Sequence, residues 1–142
     1  MPKIDWVWYH TQDISAAGTK TFFNTDQATA GRNVTNMKMA GQLPASEKFT
    51  INRIDVYLDP AATAADVQAL AQDAILELVI GETTVIQAPL YLFKSDYNNL
   101  YYYFKVPISL PGGVGFKVDI HVPTAPSGAV TTTISLVGVR EY

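Results

Sequence analysis

Along most of the chain, apolar side chains recur at every second position. From Tyr102 onward, Tyr102, Phe104, Val106, Ile108 and Leu110 alternate with Tyr101, Tyr103, Lys105, Pro107 and Ser109. A period of two predicts a strand with one apolar row turned inward and a mixed row turned outward. Pro111-Gly112-Gly113 predicts a turn. The next run repeats the pattern, with Phe116, Val118, Ile120 and Val122 on one face and Lys117, Asp119 and His121 on the other. After a loop at Pro123 to Gly128, Val130, Thr132, Ile134 and Leu136 share a face of a last strand. Val137 and Val139 fall on the opposite face, so a bulge is expected at Gly138.

The earlier segments carry the same signal less evenly. Phe49 and Ile51 are in phase, whereas Ile54, Val56 and Leu58 are shifted by one, which predicts a bulge or bend at Asn52-Arg53. Ile75 to Ile80 is almost continuously apolar, as a strand covered on both faces would be. Gly81-Glu82 predicts a tight connection to a partner strand over Thr84 to Phe93, interrupted by Pro89, which cannot donate to a ladder. Ile4 to Tyr9 and Thr19 to Phe23 read as short strands, and Gly31 to Ala45 as an extended arm.

A helix is predicted over 64–74. Thr63 is suited to its N-cap, Asp66 lies near the exposed N–H groups of its first turn, and Val67, Leu70, Ala71 and Ala74 recur at helical spacing. Eight or nine short strands with Gly/Pro/Asn turns and one inserted helix predict an antiparallel sandwich or barrel. A doubly wound fold needs helices between most strands.

Composition agrees with a packed single domain. The 142 residues are 48% hydrophobic and 16% charged, against roughly 25% charged in an average globular protein. Ten basic and 13 acidic residues leave a net charge of −3, which argues against direct nucleic-acid binding, because that needs a basic stripe. With no cysteine, disulfides, zinc ribbons and thiol nucleophiles are excluded. Asp5 falls where a secretory signal needs its apolar run, so no such signal is expected. From Ile120 to Val139 no residue carries a formal charge, but Pro123, Pro126 and Gly128 make this stretch two strands around a loop, not a membrane helix.

Catalytic signatures are sparse. No Ser sits in a nucleophile elbow and no glycine-rich loop precedes a helix, so no catalytic residue and no cofactor is assigned. His10 with Asp5 and Asp13 is a weak metal candidate, and His121 reads as an exposed or interface histidine, so no metal site is assigned. Asp96-Tyr97-Asn98-Asn99 lacks the spacing of a calcium loop and predicts a hairpin turn. Asn33-Val34-Thr35 matches a glycosylation acceptor without a secretion signal to support its use.

The aromatic residues say more. By phase Tyr102 and Phe104 belong to the core, whereas Tyr101 and Tyr103 point the other way, where exposed tyrosines suit a protein interface or stack on sugar rings. Trp6 and Trp8 share a face that either closes the core or docks a partner. Trp6, Trp8, Phe22, Phe23, Tyr97, Tyr101 and Tyr103 are the candidate interface residues.

One arrangement resembles a known family. Asn36-Met37-Lys38-Met39-Ala40-Gly41-Gln42-Leu43-Pro44 leads into Phe49-Thr50-Ile51-Asn52-Arg53-Ile54-Asp55-Val56; a helix, Leu76-Glu77-Leu78-Val79-Ile80-Gly81 and Ala88-Pro89-Leu90 follow, and the chain closes on Ser135-Leu136-Val137-Gly138-Val139-Arg140. Over roughly residues 34 to 142 this resembles the single-jelly-roll, vertical-β-barrel capsid proteins of tailless icosahedral, membrane-containing phages. The resemblance implies an all-β, antiparallel jelly-roll sandwich or barrel of about eight strands with one short inserted helix. The whole of 1–142 would be one domain, with 1–45 a less regular N-terminal arm and short strands, and 46–142 the main sandwich. It further implies a virion protein made in the host cytoplasm that self-associates or pairs with a second coat protein. Minor virion proteins and an inner viral membrane are implied partners. Trp6, Trp8, Phe22 and Phe23 would suit an arm reaching a neighbouring subunit; the alternative is a pair of extra strands folded on the parent sandwich. The chain lacks the long loops that build towers on larger relatives, which argues against a receptor-binding role. Two other functions compete: a glycan-binding sandwich using Tyr97, Tyr101 and Tyr103, and a cupin-like enzyme, which normally gathers several histidines.

Overall fold

The computed structural model describes residues 2–142 as two antiparallel sheets facing one another. In chain order the elements are β1 (Lys3–Ile14), β2 (Gly18–Phe22), α1 (Gln27–Ala30), β3 (Lys48–Leu58), α2 (Ala64–Asp73), β4 (Ile75–Ile80) and β5 (Thr83–Pro89). A single 3-10 turn at Leu90–Leu92 precedes β6 (Lys94–Asp96), β7 (Asn99–Pro111), β8 (Phe116–Val122) and β9 (Val130–Glu141). One sheet runs β1-β9-β3-β7-β6 and the other β2-β8-β4-β5.

This order is that of a long hairpin wrapped on itself. β1 pairs with β9, β2 with β8, β3 with β7 and β4 with β5, and successive strands of the first half alternate between sheets. Wrapping adds the β3–β9 and β4–β8 ladders. Two such Greek keys make a jelly roll, and β6 is an extra three-residue strand at one border.

The inward rows build the core. Phe49, Ile51, Ile54, Val56, Leu76, Leu78, Val118, Ile120, Ile134 and Leu136 are buried between the sheets. Fully burying each such side chain contributes roughly 1.5–3 kcal/mol. The helix begins where the sequence places it. Thr63 Oγ1 accepts the Asp66 N–H, and Leu70 and Ala74 are buried against the sandwich end. The predicted hairpin turn is also present, with Asp96 opposite Asn99 and Tyr97-Asn98 between them.

Several expectations are corrected. β4 is covered on one face only, because Leu76 and Leu78 are buried while Ile75 is exposed. The bulge lies in β3 and not at Gly138: Ile51 pairs with Gly138 and Arg53 with Val137, leaving Asn52 unpaired, while β1 pairs with β9 without interruption. Val137 and Val139 simply occupy the outward row of β9, which alternates throughout. Gly138 is needed because the bulged strand crowds it. A Cβ there would lie 1.8 Å from the Thr50 carbonyl oxygen.

The first 45 residues are not a projecting arm. β1 and β2 belong to the two sheets, and residues 34–36 run along the free side of β1. There the Thr11 N–H donates to the Val34 carbonyl at 2.8 Å, Asn36 Oδ1 accepts the Tyr9 N–H, and Asn36 Nδ2 donates to the Val7 carbonyl. The Asn36 amide thus imitates a strand neighbour and blunts an edge that would otherwise pair with another chain.

Candidate interaction surface

The seven aromatic candidates separate into three places. Trp8, Phe22 and Phe23 are fully buried in the core. They present no surface to a partner, which corrects their reading as interface residues. Trp6 is partly buried and meets Trp8 edge-on at 5.7 Å, and the Arg140 guanidinium lies over Trp6, Trp8 and Tyr142 at 4.7, 5.2 and 5.0 Å. Arg140 is itself buried and paired with Glu47. This corner is closed by the chain's own residues.

Tyr101 and Tyr103 project from the outer face of the five-stranded sheet, with rings 5.8 Å apart and edge to face. Arg53, from the neighbouring strand, lies over both rings at 5.8 and 5.3 Å. Its Nε is 2.7 Å from Asp55 Oδ1, and its Nη1 donates to Tyr103 Oη at 3.0 Å. The guanidinium therefore occupies ring faces that a sugar would need for stacking. Tyr97 stands apart at the tip of the β6–β7 turn, where it is 97% exposed. The three tyrosines do not form one platform.

A surface that the alternation conceals lies between the free edges of β5 and β7. β5 pairs only with β4, and β7 meets β6 only over Asn99–Tyr101, so both strands carry unpaired backbone along this side. The β3–β7 register jumps from Ile51–Ile108 to Arg53–Tyr103, so Asn52 stands against Phe104, Lys105, Val106 and Pro107. Along this stretch Phe104 stays half buried against the core, whereas Lys105 and Pro107 are exposed and Val106 is 79% exposed. A second irregularity in β5 leaves Val85 unpaired between Thr84 and Ile86.

An open groove of about 330 Å³ runs between the edges, lined by Val85, Ile86, Tyr102, Phe104, Val106 and Ile108 with Lys105 at its rim. Tyr102 and Phe104 obey the predicted phase but lie where the sheets part, so Tyr102 is exposed and Phe104 only half buried. Their rings pack on each other at 5.4 Å, and Tyr102 packs on Phe93 at 5.7 Å. Tyr91 and Leu92 in the 3-10 turn are also exposed. The available signal was Pro107 beside Lys105 in an otherwise apolar run, a combination that marks an edge strand.

Elsewhere, His10 lies on the inward row of β1, buried and apart from any carboxylate cluster. The candidate metal group of His10, Asp5 and Asp13 does not form, because Asp5 and Asp13 occupy the outward row of the same strand. Among the described residues, no helix is long and apolar enough to cross a membrane. No family model matches this sequence, and a search of curated proteins finds no match.

Proposed function

We propose that the chain is a structural virion protein, a capsid subunit whose copies join through the β5–β7 edge. The observation that carries this reading is the asymmetry between the two open sides of the sandwich. On one side the chain covers its own edge with residues 34–36 and ties β1 to β2 through Gln12 Nε2 and the Thr21 carbonyl at 2.6 Å. On the other, Val85, Tyr91, Leu92, Tyr102 and Val106 are all exposed. Contiguous apolar exposure of this kind marks a protein-interaction site, and two Greek keys are a common architecture of shell subunits.

The occupant is a second copy of this chain, or a sister coat protein of like design. Contact is made by side chains packing across the groove. Strand addition is opposed by Pro107, which has no N–H, and by the wide register irregularity over residues 104–107 of β7. The jelly roll supplies a stiff body for these contacts.

Electron microscopy of the purified protein, alone and co-expressed with neighbouring genes of its source, tests the reading. Rings, capsomers or shell fragments support it. Separate single subunits under both conditions, with a tyrosine fluorescence change on adding oligosaccharide, favour a glycan-binding module instead.

A further inference from the structure

Two carboxylates and an imidazole come together on the outer face of the four-stranded sheet, away from the apolar groove. Glu77 on β4 and Asp119 on β8 are direct cross-strand partners, and His121 follows on the same face of β8. One donor atom from each lies within 4.8 Å of the others, and His121 Nε2 is 3.4 Å from Glu77 Oε1. Around a tetrahedral ion with ligand bonds of about 2.1 Å, donors stand roughly 3.4 Å apart. Small rotamer changes therefore bring all three into a coordination sphere.

The three side chains are also held from behind, each by its own threonine. His121 Nδ1 is 2.8 Å from Thr19 Oγ1, Asp119 Oδ1 accepts from Thr21 Oγ1 at 2.7 Å, and Glu77 Oε2 accepts from Thr84 Oγ1 at 3.1 Å. With Nδ1, Oδ1 and Oε2 engaged in this way, Nε2, Oδ2 and Oε1 remain as the donor atoms. Outer partners that fix the orientation of metal ligands work in this manner. A shallow cleft of about 220 Å³, lined in part by Thr19, Asp73, Ile75 and His121, opens beside the imidazole and leaves that ring accessible to solvent.

One cation already stands there. Lys117 Nζ is 3.2 Å from Asp119 Oδ2, on a side chain half exposed to solvent and free to swing away. We infer that Glu77, Asp119 and His121 bind a first-row divalent cation of zinc type, with the Lys117 ammonium as the competitor that it displaces. One imidazole with two carboxylates suits such an ion better than calcium or magnesium, which prefer oxygen donors alone.

The experiment titrates zinc chloride, and separately calcium chloride, into the metal-stripped full chain without a histidine tag. Heat and the His121 imidazole NMR signals are followed together. Zinc is expected to bind one per chain and to shift the His121 ring, with calcium at least about tenfold weaker. Glu77→Gln and His121→Ala each weaken zinc by at least about tenfold, and Thr19→Val by about tenfold. Lys117→Ala tightens it several-fold, the reverse of what general loss of structure does. Circular dichroism identifies any variant that fails to fold, and the partly buried Glu77 and the half-exposed Lys117 provide two independent readings. No shift of the His121 ring at millimolar zinc, or zinc affinity indifferent to both Glu77→Gln and Lys117→Ala, overturns the assignment.

Discussion

The imidazole of His10 accepts a hydrogen bond at Nδ1 from the backbone N–H of Phe23, at 2.7 Å in the buried interior. Phe23 has a φ of 68°, a left-handed conformation that bulky residues rarely adopt, so this bond helps hold the chain where it leaves β2. Burial, aided by the Lys20 ammonium, lowers the His10 pKa from 6.5 to about 4. In the unfolded chain the ring regains its ordinary value and takes up a proton first. Stability is therefore complete above about pH 6.5, falls as the pH drops towards 4 and then levels off. The loss is on the order of 2–3 kcal/mol, read by urea unfolding at pH 7.5 and 4.5. Asp26 and Asp66, both lowered below 3.8, contribute their change only below this window. His10→Asn retains an acceptor and removes most of the slope; an unchanged slope would assign the dependence elsewhere.

Gly138 and the Asn52 bulge form one unit. A methyl group at 138 meets the Thr50 carbonyl oxygen at 1.8 Å and the Thr50 carbonyl carbon at 2.9 Å, both backbone atoms of the central strand. Gly138→Ala is expected to destabilise by at least about 3 kcal/mol in thermal or chemical unfolding. Gly115→Ala, whose nearest neighbour is 3.9 Å away, changes stability by no more than about 1 kcal/mol. Similar effects of the two substitutions would contradict the packing described at the bulge.

Glu47 and Arg140 form a buried ion pair roofed by Trp6, Trp8 and Tyr142. Removing the carboxylate strands the guanidinium among aromatic rings. Glu47→Ala is expected to lower stability by roughly 3–5 kcal/mol. A loss below about 1 kcal/mol would mean that water reaches Arg140 freely.

Asp66 ties the helix to the loop between β8 and β9. Its carboxylate accepts from the Ser127 N–H at 2.9 Å, the Gly128 N–H at 3.1 Å and the Ser127 hydroxyl at 2.8 Å. These bonds hold its pKa below the usual carboxylate value, the Ser127 N–H contributing most. Asp66→Ala should speed hydrogen exchange at Ser127 and Gly128 by about tenfold or more while leaving the β3–β9 ladder protected. Thr63→Ala, which removes the helix cap but keeps the Asp66 bonds to Ser127 and Gly128, should cost about 1 kcal/mol and leave those two amides slow.

Strand periodicity made most of the sandwich legible. β7, β8, β9 and the helix after Thr63 stand where alternation and capping put them. The reading of β1 stopped at Tyr9 because His10 and Gln12 are polar at inward positions. Those positions are satisfied by the Phe23 N–H and the Thr21 carbonyl, partners in and just past β2 that no local pattern contains. Tyr102 and Phe104 had the correct phase, but phase says nothing about where two sheets part, so their exposure was hidden. His121 was read alone because Glu77 is 44 residues away and meets it only once β4 pairs with β8.

The account stands on association through the β5–β7 edge. Sedimentation velocity over a concentration series, comparing the wild-type chain with Val106→Asp, tests it most directly. Val106 is 79% exposed, so its replacement should move the melting temperature little. The predicted result is a discrete larger species in the wild type that grows with concentration and is lost in Val106→Asp at unchanged melting temperature. A wild-type chain that sediments as a monomer throughout, or a Val106→Asp chain that assembles equally well, would contradict it.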